Sequence, residues 1–236
     1  MERMDRMIGT MRSAFAAWAG DDGRWLDDDG IGAIVMPHVP QRSLVNSVIY
    51  ERGANVAAAY DRLAALYSGA WMVWVPQGDT ETATFLESKG HRFDGKPAAM
   101  MLELDSFTPP PAPPSWEPAT MAQVGRINEA TYPWRDGSLE RALLSIDEDA
   151  FHLYVAEDAS VVGIHDCDGD AGVFFVATLP EARGRGLAAG LMGVALEEAR
   201  ERGCDVSTLQ ASPMGELVYE RMGYETFGRM ELWERR

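Results

Sequence analysis

The chain of 236 residues has only two cysteines, Cys167 and Cys204, and no run of about 18 apolar residues. Two thiols without ligand spacing exclude a disulfide framework and a cysteine metal centre, and the missing apolar run excludes a bilayer-spanning helix. The first residues include Glu2, Arg3, Asp5 and Arg6 in place of an apolar signal core, so the reading is a cytoplasmic protein with both thiols free. Basic residues are scarce as well: 21 Lys and Arg stand against 37 Asp and Glu, a formal charge of −16. A nucleic-acid backbone is held by clustered cations, so that partner class is excluded and cationic small molecules are favoured. The excess is uneven, with 15 acids and 10 bases in residues 1–110 against 22 and 11 in residues 111–236. An acidic mouth on the second part would draw in a protonated amine, although a solvated surface accounts for the same charge. Two Asp-rich stretches, Asp27-Asp28-Asp29-Gly30 and Asp166-Cys167-Asp168-Gly169-Asp170, read as turns, because neither has the full ligand set of a calcium loop.

Residues 107–115 contain Pro109, Pro110, Pro111, Pro113 and Pro114. Proline cannot continue a helix or donate to a sheet ladder, so this stretch reads as a semi-rigid linker between residues 1–106 and 116–236. Sliding the chain against itself by 133 residues sets Gly53 on Gly186, residues 54–67 on 187–200, Asp79 on Ser212 and Gly90 on Gly223 without a gap. That shared register predicts two copies of one supersecondary unit, with a chance match of two α/β patterns as the competing account. The first copy begins with a helix over 7–19 and strands over 31–39 and 44–50. Residues 91–104 and 224–233 read as the last paired strands of the two copies.

The densest pattern follows residue 160. Strands over 160–164 and 173–178 lead into a loop over 179–186, and a helix opens at Leu187 with Leu191, Val194, Leu196 and Ala199 on its apolar side. Glycine permits positive φ and close approach of the main chain, while the free amides and dipole of a first helical turn suit a pyrophosphate. A strand over 205–210 comes next, then a helix over 212–222 with Ser212 as N-cap, Pro213 at the first helical position and Gly223 as the stop.

Arg183-x-x-Gly186-x-Ala188, followed by a helix carrying Ser212, Gly215, Tyr219, Gly223 and Tyr224, resembles the linked acetyl-CoA motifs of the GNAT superfamily of N-acetyltransferases. The departures are Ser212 and Gly215, where the family pattern has asparagine and alanine. The resemblance covers residues 116–236. It implies an α/β (α+β) acyl-CoA N-acyltransferase fold: a mixed, mostly antiparallel sheet flanked by helices, in two tandem halves. The first half is then degenerate, since Tyr50-Glu51-Arg52-Gly53-Ala54-Asn55 stands in place of residues 183–188, and Glu51 would repel a pyrophosphate where Gly184 would admit one.

As implied roles, acetyl-CoA is the co-substrate and no metal takes part. Its pantetheine pairs with Val176, Ala177 and Thr178, its pyrophosphate lies on Arg183, Gly184, Arg185, Gly186, Leu187, Ala188 and Ala189, and Ser212 adds a polar contact. The two arginines supply charge to the phosphates or else form surface ion pairs. A strand amide near Val176 stabilises the oxyanion, and Tyr219 protonates the departing thiolate. The acceptor, a primary amine on a small molecule, peptide or protein, attacks directly in a ternary complex, so Cys167 is a hairpin residue and no nucleophile. The family's base position falls near Gly172, leaving Asp168, Asp170, Glu157 and His165 as candidates acting through water. Acceptor contacts fall to residues 131–136, with Tyr132 and Trp134 as cation-stacking candidates, and to residues 151–156. A homodimer stays open. The rival class is a non-catalytic acyl-CoA sensor or scaffold; a dinucleotide-binding fold is disfavoured because the glycine loop comes late and no ribose-binding acid follows it.

Overall fold

Apolar residues recur every three to four positions in Met7, Ile8, Met11, Ala14, Phe15 and Trp18, and that stripe is buried along helix α1, Arg3–Ala19. The computed structural model describes residues 3–132 and 135–236. After α1 come β1 (Arg24–Asp28), β2 (Ile31–Val35), β3 (Ser47–Tyr50), α2 (Val56–Ala64), β4 (Trp71–Pro76), α3 (Thr80–Ser88), β5 (Arg92–Gly95) and β6 (Ala98–Glu103). Beyond the prolines lie β7 (Trp116–Pro118), α4 (Met121–Thr131), α5 (Ser138–Leu144), β8 (His152–Ala156), β9 (Ser160–Cys167) and β10 (Asp170–Thr178). The chain continues through α6 (Leu187–Glu201), β11 (Val206–Ala211), α7 (Pro213–Arg221) and β12 (Glu225–Arg235). No helix among the described residues is long and apolar enough to cross a membrane.

Two details of the first half differ from the sequence reading. The acidic turn joins two strands, since Asp29 and Gly30 (φ 49° and 75°) reverse the chain between β1 and β2, and β1 escaped notice because its side chains are mostly exposed. Strand β2 stops at Val35, ahead of Pro37, and β3 starts only at Ser47 because residues 43–45 form a 3-10 turn.

The repeat is present in space as two tandem halves of one fold. Each half has a parallel strand pair, β3 with β4 and β10 with β11, joined through a helix. Asp79 and Ser212 cap the equivalent helices α3 and α7, accepting from the Thr82 amide (3.0 Å) and the Gly215 amide (3.3 Å). Gly90 and Gly223 end those helices at φ 88° and 98°.

The strand order is β1-β2-β3-β4-β12-β6-β11-β10-β9-β8-β7, mostly antiparallel. The last strands pair across the halves, which the sequence did not show. Strand β6 of the first half runs along β11 of the second. Strand β12 follows β6 up to Arg229 and then runs along β4 of the first half from Met230 to Arg235. The register shift between Thr226 and Gly228 lets one long strand serve both ladders.

Helices α1, α4 and α5 cover one face of the sheet, with Phe15, Trp18, Ile127, Leu139 and Phe174 in a common core. On the opposite face α6 packs Leu191, Met192 and Leu196 over the second half, and Tyr60 and Leu63 of α2 pack with Leu86 of α3 over the first. Helix α1 belongs to the first half but reaches the β9–β10 hairpin through Arg6, Thr10 and Ser13. Arg6 donates to Asp168 O in the turn (3.2 Å) and pairs with Asp205 ahead of β11 (2.8 Å), the Thr10 hydroxyl donates to Asp170 Oδ2 (2.7 Å), and Ser13 Oγ lies 2.8 Å from His165 Nε2.

Asp170 is fully buried, and burial pushes its carboxyl up to about 6 despite hydrogen bonds from Thr208 and Thr10. Between about pH 4 and pH 6 the unfolded carboxyl has lost its proton while the folded one keeps it. The native state therefore binds more protons in that window, and this group's contribution to stability falls as pH rises. Asp170→Asn should remove that contribution, so that urea unfolding shows the variant gaining on the wild type by on the order of 2 kcal/mol from pH 4 to pH 7.

Candidate active site

The parallel ladder of β10 and β11 is three pairs long: Asp170 with Val206, Ala171 with Ser207, Gly172 with Thr208. Beyond Gly172 the strands part. The opposite edge of β10 is interrupted at the same level, where the register with β9 jumps from Phe174↔Gly163 to Ala177↔Val161. Phe175 adopts φ 59°, a left-handed conformation that inserts the extra residue of a bulge. Ala177 and Thr178 rejoin β9, opposite Val161 and Ser160, while their other edge faces the gap left by β11.

At the end of this gap the chain turns through residues 180–182 into a loop with Gly184 at φ 76° and Gly186 at φ 78°. A Cβ at either glycine would have nothing within 4 Å, so the loop is open to solvent and backbone conformation alone calls for glycine there. Gly186 is the N-cap of α6 and has no side chain to satisfy the first-turn amides. The first main-chain hydrogen bond of the helix runs from the Gly190 amide to Gly186 O (2.9 Å). Leu187, Ala188 and Ala189 thus begin the helix with amides that have no main-chain acceptor among the described residues, a ready anion site. Arg183 Nε donates to Thr178 O (3.2 Å), which folds the loop back onto β10. Arg185 pairs with Glu157 in the β8–β9 turn (2.5 Å), the surface ion pair that the sequence left as an alternative.

Helix α7 closes the other side. Its N-cap Ser212 is exposed, and its hydroxyl is engaged by the Gly215 amide. Tyr219 is half-buried, packed edge-on against Tyr224 with ring centres 5.9 Å apart. Burial pushes its phenol up to about 12, so it carries its proton at neutral pH. A Cβ on Gly215 would lie 3.0 Å from Tyr219 Cε2, so the departure from alanine makes room for the ring. Below it the Tyr224 hydroxyl is tied to Ser207 Oγ (2.7 Å) in the core.

Three of the four candidate bases hold other partners, and the fourth, Asp168, is exposed. His165 uses both ring nitrogens, on Ser13 and on Ala150 O (2.8 Å). Asp170 is held by Thr10 and Thr208, Glu157 by Arg185, and Asp168 occupies the tip of the β9–β10 turn with φ 48°. Gly172, at the position that carries a carboxylate in the family pattern, lies under α1, and a Cβ there would sit 2.5 Å from Thr10 Cγ2. The first half has taken that space. Cys167 ends β9 opposite Asp170, and burial pushes its thiol up, away from a nucleophilic thiolate. Tyr132 has its phenol raised by burial, and Trp134 lies outside the described residues. Asp136 is held well below the usual carboxylate range by Arg42.

Two residues went unnoticed in the sequence. Asn128 of α4 donates through Nδ2 to Phe175 O (3.2 Å), in the bulge, and Trp18 of α1 stacks on the Phe175 ring with centres 5.4 Å apart. A polar residue on the buried stripe of Met121, Val124 and Ile127 was the available signal for Asn128. Nothing local marked Trp18, because its partner is 157 residues away.

Residues 161–227 match the family model described as the acetyltransferase (GNAT) domain, and they include the bulge, the parted strands, the glycine loop and α7. The chain carries a GNAT domain. Its whole length also follows solved GNAT folds. It covers 98% of the chain, and 93% of the other, against the GCN5-related N-acetyltransferase from Kribbella flavida, with a TM-score of 0.67 at 15% identity. A putative GNAT-family acetyltransferase from Novosphingobium aromaticivorans matches over 99% and 98% of the two chains, with a TM-score of 0.61 at 19% identity. A tandem GNAT protein from the clavulanic acid biosynthesis pathway matches over 98% and 95%, with a TM-score of 0.56 at 15% identity. No curated protein matches the sequence. The family match over residues 161–227 supports acyl transfer in general, and the solved structures show the fold.

In the first GNAT-like half the equivalent features are blocked. The Tyr50 hydroxyl donates to Asp79 Oδ2 (2.8 Å), joining the end of β3 to the cap of α3. Asn55 Oδ1 accepts from the Ala58 amide (2.9 Å), so a side chain occupies the anion position at the start of α2. Glu51 adds a carboxylate at the loop, paired with Arg12 (2.9 Å). Calorimetric titration with coenzyme A should therefore give one site per chain; a stoichiometry of two would contradict the closed first half.

Proposed function

We propose that the second half moves an acetyl group from acetyl-CoA to a primary amine in a ternary complex. The observation that carries this is the gap between β10 and β11, which opens beyond Gly172, passes the Phe175 bulge and ends on first-turn amides of α6 that have no main-chain acceptor among the described residues. The edge of Val176, Ala177 and Thr178 that faces the gap offers main-chain groups to the pantetheine, with the Thr178 carbonyl already accepting from Arg183, and the loop amides from Gly184 to Ala189 offer donors to the pyrophosphate. Bound there, acetyl-CoA supplies a thioester as an activated acyl group. The chain's own residues then hold and orient it. The Val176 amide stabilises charge on the thioester oxygen as the amine nitrogen forms its bond to the acyl carbon. Tyr219 gives its phenolic proton to the sulfur as the carbon–sulfur bond breaks, and the proton that the newly acylated nitrogen sheds restores the phenol, so thiol and amide leave with no net change in the enzyme.

The acceptor is a cationic small molecule or peptide amine, drawn by the acid excess of residues 111–236. Three of the candidate bases, His165, Asp170 and Glu157, hold other partners, so the reading takes an acceptor that reaches the site partly deprotonated. The same observation supports the rival reading, an acyl-CoA binder without turnover. Thiol release from acetyl-CoA, followed with a panel of primary amines, separates the two. Amine-dependent release above the hydrolytic background supports the transferase, and tight coenzyme A binding with no release for any amine supports the sensor.

A further inference from the structure

Strand β10 reaches its bulge at a cost, since φ 59° is unfavourable at a residue with a side chain and persists only where the surroundings enforce it. Phe175 is held at two points. Its ring stacks on Trp18 (5.4 Å between centres, planes at 29°) and packs against Phe151 (5.3 Å). Its carbonyl accepts from Asn128 Nδ2 (3.2 Å). Asn128 is buried on the apolar stripe of α4, and the same nitrogen also donates to Val124 O (3.0 Å). A buried amide on such a stripe is costly unless its hydrogen bonds are made, and this one makes its tertiary bond to the strained residue.

The consequence falls on the next amide. In a trans peptide the N–H points opposite to the C=O. With the Phe175 carbonyl turned toward α4, the Val176 N–H is turned toward the other face of the sheet, the one covered by α6. Val176 has no ladder partner there: the β9 register skips it, and pairing with β11 ended at Gly172. We propose that Asn128 is a positioning residue, which by holding the Phe175 carbonyl aims the Val176 N–H at the thioester oxygen. This inference rests on the acetyl-transfer reading of the gap.

Two near-isosteric variants test it. Asn128→Asp replaces the donor with a second acceptor, and Asn128→Leu removes the donor without adding charge. Three quantities are measured: turnover of acetyl-CoA with the best amine, affinity for coenzyme A, and affinity for the ketone analogue of acetyl-CoA in which methylene replaces sulfur. Coenzyme A has no carbonyl at the reacting position and the ketone has one. Expected in both variants are coenzyme A affinity within about threefold of wild type, ketone affinity weaker by about 10-fold, and turnover lower by about 100-fold. Turnover within about threefold of wild type, an equal loss of both affinities, or loss of the fold in both variants would each reduce Asn128 to a structural residue and overturn the inference. A wild-type chain that neither binds coenzyme A nor releases thiol would instead sink the acetyl-transfer reading, and this inference with it.

Discussion

Tyr219→Phe should lower turnover by roughly 100-fold or more while leaving coenzyme A affinity nearly unchanged. The substitution removes one oxygen from a ring that Tyr224 and the missing Cβ of Gly215 hold in place, so the packing of α7 survives. A phenol raised to about 12 by burial is a proton store at every working pH, so Tyr219 itself should cause no fall in rate below about pH 10. An ordinary thiol near pKa 8.5 is a weaker base than this phenolate, which makes the transfer uphill if the leaving sulfur is treated as solvated. In the proposed reaction the thiolate forms beside Tyr219, and burial there would raise the thiol as it raises the phenol, which narrows the mismatch. Thiol release at saturating amine, set beside calorimetric affinity, checks the expectation. Equal turnover in the two proteins would remove Tyr219 from the chemistry.

Gly184→Glu should abolish coenzyme A binding in the micromolar range without unfolding the chain. The position is open, with nothing within 4 Å of a built Cβ, so the folded state bears only the cost of positive φ, about 1–2 kcal/mol. A unit charge about 5 Å from a doubly charged pyrophosphate, at an effective dielectric of about 40, is repelled by roughly 3 kcal/mol, or about 100-fold in affinity. Nature has placed this residue in the first half, where Glu51 occupies the equivalent position. Gly184→Ala is the control, bearing the backbone strain without the charge. Because repulsion is screened by salt, affinity of the glutamate variant should recover with ionic strength relative to the alanine variant. Parallel behaviour of the two variants would show that strain, not charge, sets the affinity.

Much of this fold was legible in the sequence because its signals are local. The 133-residue register found α2, β4 and α3 and their counterparts α6, β11 and α7, since caps, stops and apolar periods belong to contiguous residues. Asp79, Ser212, Gly90 and Gly223 do in space what their residue types suggest. Strand β1 leaves no signal because an exposed edge strand shows no apolar alternation, and β2 ends at Val35, short of the 31–39 that its apolar run suggests, because Pro37 follows. At the site, the glycine loop shows in the local spacing, whereas Tyr219 enters only through the resemblance to the family's helix pattern. The fate of Gly172 could not, because the atom that excludes a side chain there belongs to Thr10, on a helix 162 residues earlier.

The sequence by itself determined the glycine turn and the helices that frame it, which follow from dihedral preferences and periodicities within about thirty residues, and the tandem plan, which follows from the same local signals recurring 133 residues apart. Tertiary structure alone decided that β6 and β12 pair across the halves, that α1 covers β10 where a base would stand, and that Asn128 and Trp18 grip Phe175. These contacts join residues tens to more than a hundred positions apart. Their choice depends on which buried faces and unpaired strand edges meet once the chain has collapsed, and a one-dimensional pattern carries no term for that.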